Sequence, residues 1–101
     1  MERIQKLRQL LEDSPDDPFL QHALGLEYVK QGDDAQAETV FRRLLEKDGS
    51  YIGSYYHLAK VEERLGKKEE ARRWYEQGMR KAKEANDQHA FNELQAACED
   101  L

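Results

Sequence analysis

A chain of 101 residues, 37% of them charged and 39% hydrophobic, has room for one small domain whose every element shows a large solvated face. Its net charge of -5 repels phosphate backbones and no basic stripe offsets it, so nucleic acid is not an expected partner. The lone Cys98 excludes an internal disulfide and no apolar run approaches the ~20 residues that span a bilayer, so a cytoplasmic chain without a membrane partner is expected.

Residues 2–13 place Ile4, Leu7, Leu10 and Leu11 on one helical stripe, with Glu2, Arg3, Lys6 and Gln9 turned elsewhere. Leucine alternates with charge there, which is unlike a signal peptide, and Glu2, Glu12 and Asp13 argue against an organelle presequence. Ser14-Pro15-Asp16-Asp17-Pro18 breaks this helix; Asp17 can cap the next and Pro18 suits its first position, so a second helix is expected over residues 18–31. Gly32 ends it by allowing left-handed backbone, and Asp33 caps a third helix over 34–47, with Gln36 placed for a capping box.

That third helix presents Ala37, Val40, Phe41, Leu44 and Leu45 on one side, and Asp48-Gly49-Ser50 closes it. A fourth is expected over 52–65, with Tyr55, Leu58, Ala59 and Leu65 inward. Gly66 repeats the turn. Lys67 is a poor cap, and Glu69 and Glu70 compensate through the helix dipole. The fifth helix, 68–85, carries Ala71, Trp74, Tyr75, Gly78, Met79 and Ala82, and a sixth over 88–100 carries Phe91, Leu94 and Cys98, with Leu101 after it. Six successive helices without a strand pattern make an all-α antiparallel stack.

The stretch 24–45 recurs at 58–79 with a constant offset of 34 residues: Leu24 with Leu58, Gly25 with Ala59, Gly32 with Gly66, Ala37 with Ala71, Phe41 with Tyr75. A unit of that length with a glycine between two helical patterns marks a stacked helical-hairpin array. Gly25 costs about 1 kcal/mol inside a helix relative to alanine, which suggests a close helix approach.

Leu24-Gly25, Tyr28, Lys30-Gln31-Gly32-Asp33, Ala37, Phe41 and Leu44-Leu45 together resemble the tetratricopeptide repeat (TPR). Tyr55, Leu58-Ala59, Gly66, Ala71 and Tyr75 resemble a second copy, in which Glu62 and Gly78 depart from the usual aromatic and alanine and are expected to loosen local packing. The resemblance implies an alpha-alpha superhelix, a TPR-like solenoid: one domain over 1–101 with an N-terminal helix at 2–13, repeats at 18–51 and 52–85, and a capping helix at 88–101. Leu7, Leu10 and Leu11 lie 34 residues before Phe41, Leu44 and Leu45, so the first helix is similar to an orphaned second helix of a repeat.

In that family the first helices of successive hairpins line a concave groove that holds a peptide or helix of a partner protein. The resemblance implies a lining of Phe19, His22, Leu26, Val29 and Lys30 from the first unit and Tyr56, Lys60, Glu63 and Arg64 from the second, bordered by His57 and His89. One subgroup clamps a chaperone's C-terminal carboxylate with Lys, Asn and Arg; here those places hold His22, Leu26, His57, His89 and Glu93, so that clamp is not implied. Lys30, Lys60 and Arg64 are either contacts for an acidic ligand or ordinary solvated charges.

The three histidines lack a second ligand at helical spacing, so no metal is expected, and no cofactor-binding motif is present. Cys98 lies on an apolar stripe and is read as core rather than nucleophile. With no nucleophile elbow, phosphate loop or paired acid and base, the expected function is a non-catalytic protein-binding module. The alternative is a structural module that self-associates through its end helices. Against it, Arg3, Lys6 and Gln9 on the first helix and Gln88, Asn92, Gln95 and Glu99 on the last resemble polar caps, so a monomer or weak homodimer is expected.

Overall fold

A computed structural model describes residues 2–101, which form six α-helices: α1 (Glu2–Asp13), α2 (Pro18–Lys30), α3 (Asp34–Lys47), α4 (Gly53–Arg64), α5 (Lys68–Glu84) and α6 (Gln88–Glu99). Each helix packs on its neighbours in sequence, and α2 also touches α4. This connectivity makes an alpha-alpha superhelix of two staggered rows, α1, α3 and α5 in one and α2, α4 and α6 in the other.

Local chemistry places the helix ends where side chains can satisfy the orphaned amides. Asp17 Oδ1 accepts from the amides of Phe19 at 3.0 Å and Leu20 at 3.3 Å, Asp33 caps α3 through Gln36 N at 3.2 Å, and Asp87 caps α6 through Ala90 N at 3.0 Å. The reciprocal half of the expected capping box is unused, because the Asp33 amide donates instead to Tyr28 O at 2.9 Å. Lys67 makes no side-chain cap, and α5 begins with Glu69 and Glu70 in its first turn. Gly32 and Gly66 have φ of 76° and 78°, and Asn86 adopts φ of 57° at the α5–α6 corner. At all three corners the amide three residues past the helix end reaches back five residues: Asp33 to Tyr28 O, Lys67 to Glu62 O and Asp87 to Ala82 O.

The core runs unbroken along the stack. Phe41, Leu44, Tyr55, Leu58, Ala59, Val61, Ala71 and Tyr75 are fully buried, with Ile4 and Leu7 closing one end and Leu94 and Ala97 the other. Glycine permits two close helix approaches. A Cβ on Gly25 would lie 2.5 Å from Phe41 Cζ, and one on Gly78 would lie 2.7 Å from Tyr55 Cβ and 3.0 Å from Leu94 Cδ1. The expected loosening at Gly78 is therefore corrected: the missing methyl is what lets α4, α5 and α6 meet.

Glu62 is likewise tightly held rather than loose. Its Oε2 accepts from Arg42 Nη2 at 3.1 Å, the same nitrogen reaches Glu70 Oε2 at 2.9 Å, and Lys67 Nζ pairs with Glu38 Oε2 at 2.8 Å. Burial raises the Glu62 carboxyl above the usual range and the adjoining Glu38 carboxylate adds to this, while Arg42 opposes it. A proton retained on Glu62 lets its carboxyl donate to the adjoining Glu38 carboxylate. The node joins α3, α4 and α5.

Two leucines expected inside are outside. Leu10 is 46% exposed because α1 packs mainly on α2, which covers only the stripe of Ile4, Leu7 and part of Leu11. Leu65 is 36% exposed because it is the C-cap residue of α4, past the last turn that α5 covers.

Candidate functional site

The face of α2, α4 and α6 gathers most of the residues implied as a groove. Its centre is an aromatic and imidazole floor: His22 and His57 ring centroids lie 5.5 Å apart, His57 stacks on Phe41 at 6.1 Å, and Tyr56 meets His57 edge-on at 5.6 Å. His22 is fixed by α4, since its Nδ1 and Ser54 Oγ are hydrogen-bonded at 2.7 Å. Ser54 is fully buried, and sequence reasoning missed it because a serine in a first helical turn ordinarily signals a cap. A cavity of about 220 Å3 opens over this floor, lined by His22, Gly53, Tyr56 and His57 together with Ala90 and Glu93 of α6.

Burial and the neighbouring His57 push the His22 imidazole down to about 4, and burial likewise lowers His57, with Arg64 adding to that shift and Glu93 opposing it. Both rings are therefore neutral at pH 7, and the floor presents aromatic edges and amphoteric nitrogens rather than positive charge. A proton NMR titration should find the His22 midpoint near pH 4; a midpoint at or above 6 would show that its ring is not held in the buried, neutral form. Because that value lies below the ordinary one, the His22 contribution to stability is present above about pH 6.5 and is lost as pH falls towards 4.

The other implied residues divide by position. Leu26 and Val29 of α2 are half-buried, and Phe19, in its first turn, is 68% exposed. His89 is exposed and lies outside the cavity, whose α6 wall is Ala90, Glu93 and Leu94. Each candidate cation already faces an acid of this chain. Lys30 pairs with Glu27 at 3.4 Å; Lys60 pairs with Glu63 at 3.6 Å and lies 5.6 Å from the Tyr56 ring centre; Arg64 forks onto Asp34 of the preceding hairpin at 3.0 Å. Glu63 also accepts from the buried Tyr75 hydroxyl, whose pKa is raised by burial and by that carboxylate. The face therefore offers compensated pairs plus Glu93, which has no ion pair among the described residues, and no cluster of free cations among them stands on this face.

Among the described residues no group of three or more His, Cys, Asp or Glu side chains converges as a metal site would require. No helix among them is long and apolar enough to cross a membrane. Cys98 is half-buried against the core.

Comparison with known proteins agrees with this geometry. Family profiles described as Tetratricopeptide repeat match residues 20–50 and 52–90. A TPR repeat-containing protein of Pseudomonas aeruginosa is 30% identical over 91 residues, covering 90% of this chain and 87% of that protein. The crystal structure of a tetratricopeptide repeat domain protein from Salinibacter ruber superposes with a TM-score of 0.78 at 40% identity, over 81% of this chain and 91% of that one. The solution structure of a Bordetella parapertussis protein reaches a TM-score of 0.81 at 26% identity, over 95% and 84% of the two chains. With the 34-residue offset, the glycine corners and the two-row stack in agreement, the chain belongs to the tetratricopeptide repeat family, whose repeats generally mediate protein–protein interaction.

Proposed function

We propose that the protein is a non-catalytic binding module that takes a peptide or helix of a partner protein along the α2/α4/α6 face. The observation that supports this reading most is the apolar and aromatic surface left uncovered there. Phe19 is 68% exposed, Leu26 and Val29 are half-covered, and the Tyr56–His57–His22 floor borders a cavity that reaches α6. Leu26, Val29 and Tyr56 pack on the core with one side and leave the other uncovered, and Phe19 is not among the core contacts. Because the cations are compensated, the face selects by shape and aromatic contact, and Glu93 favours a basic group on the partner.

The double variant Tyr56→Ala with Lys60→Glu tests the reading. It removes a floor ring and sets a second carboxylate against Glu63, 3.6 Å from the present ammonium. Partner binding is expected to fall at least about tenfold while far-ultraviolet circular dichroism stays unchanged. Unchanged binding by the folded variant would remove the face from consideration. The exposed polar side chains of α6, Asn92, Gln95 and Glu99, oppose the alternative of self-association, and a monomer or weak dimer is the expected result by light scattering, against which a tight, concentration-independent dimer would count.

A further inference from the structure

The crevices between successive hairpins on the α1/α3/α5 side are built on equivalent positions but are filled differently. In the later crevice Tyr55 and Trp74 pack ring against ring with centroids 6.2 Å apart, and the Tyr55 hydroxyl donates to Gly49 O at 2.6 Å. Thirty-four residues earlier those places hold Gln21 and Val40. The frame is the same, since Gln21 Nε2 donates to Pro15 O at 2.8 Å, and Pro15 is the counterpart of Gly49. Arg8 bonds Tyr28 in the earlier interval as Arg42 bonds Glu62 in the later one, again at an offset of 34.

What the earlier crevice lacks is the pair of rings. A cavity of about 320 Å3 remains, with Leu11, Leu24 and Val40 supplying its apolar wall. For comparison, an apolar cavity of about 150 Å3 can take benzene. Its mouth differs in charge as well. Arg43 replaces the later Gln77, is exposed, and makes no ion pair among the described residues; Arg8 lies beside it, and Glu12 is the one acid of the rim. Arg8 is already held over the Tyr28 ring, which leaves Arg43 to meet an incoming ring face, and two guanidiniums against one carboxylate favour acidic flanking groups.

We propose that the crevice between α1 and α3 receives a tryptophan or tyrosine side chain from an acidic segment of a partner protein, which takes the place that Tyr55 and Trp74 fill within the chain itself one repeat later. This site lies on the opposite side from the α2/α4/α6 face and stands or falls independently of it.

The test uses the capped tripeptides Glu-Trp-Glu and Lys-Trp-Lys and free indole, followed through the methyl resonances of Leu11 and Leu24 in the whole chain. Glu-Trp-Glu is expected to shift those methyls and to bind at least about threefold more tightly than Lys-Trp-Lys. Val40→Trp, which copies the later crevice, is expected to weaken binding at least about tenfold; Gln21→Tyr provides the same block if that variant folds poorly. Tyr56→Ala with Lys60→Glu should leave this binding intact. Three results would overturn the proposal: no methyl shifts with either tripeptide, shifts that persist in both filled variants, or binding of free indole alone, which would mark a small-molecule pocket instead.

Discussion

Gly25→Ala is expected to destabilise the protein by about 1–2 kcal/mol, although alanine is the better helix former, and its sign is expected to reverse once Phe41 is cut back to alanine. The added methyl would lie 2.5, 2.6 and 2.9 Å from three carbons of the Phe41 ring. That ring has nowhere to move: it is fully buried, with His22 at 5.7 Å and His57 stacked at 6.1 Å. Overpacking therefore outweighs the gain of about 1 kcal/mol in helix propensity. Phe41→Ala alone should cost about 3–5 kcal/mol, the largest effect expected of any single change here. In that background the methyl enters the vacated space, and Gly25→Ala should stabilise by up to about 1 kcal/mol. Urea midpoints of the four members of the cycle provide the measurement, with Phe41→Leu as the milder substitute if Phe41→Ala does not fold. Simple additivity would show that α2 and α3 are not held apart by this ring alone.

Arg42→Ala should cost about 2–4 kcal/mol at pH 8 and much less near pH 5. Removing the guanidinium leaves Glu62 fully buried, with Glu38 and Glu70 close by and the neighbouring cations engaged elsewhere, Lys67 on Glu38 and Arg73 on Glu70. The carboxyl can escape by keeping its proton, to which it is already biased by burial and by Glu38. A carboxyl raised in the folded state contributes its stability below the ordinary glutamate value, and that contribution is lost as pH rises through the folded value. The loss in the variant, taken as its difference from the parent, therefore grows from acid to alkaline pH. Taking that difference also removes the opposite slope of His22, which both proteins share. Adding Glu62→Gln should flatten the profile, since the amide cannot ionise. A loss independent of pH between 5 and 8 would mean that Glu62 is not the group left stranded.

Much of the fold is legible in the residues themselves. The constant offset, the glycine corners and the proline-aspartate break carry local signals that no tertiary contact has to supply, and the helix ends fall within a residue or two of where these place them. Leu10 and Leu65 were misplaced because a stripe shows which way a helix leans but not how far its neighbour extends. Glu62 and Gly78 were misjudged for a related reason. Each is a departure when compared with a repeat pattern, yet each fits a partner that its own position does not reveal: Arg42 for the first, Tyr55 and Leu94 for the second. Of the cations at 30, 60 and 64, the first two have their acids, Glu27 and Glu63, three residues away on the same helix, whereas Asp34 reaches Arg64 from another hairpin, a pairing that spans 30 residues and leaves no trace in spacing.

Among the described residues each end helix rests mainly on one neighbour, and the one at the amino end is the more thinly held of the two. Such an array should unravel from that end, in the manner of a zip whose last tooth has no opposite number. One wall of the crevice belongs to this loosely tethered helix. Whatever lodges there would act as a wedge that fastens the tail of the stack, so occupancy would appear as slowed amide exchange in α1 and would tie the durability of the whole array to the presence of its guest.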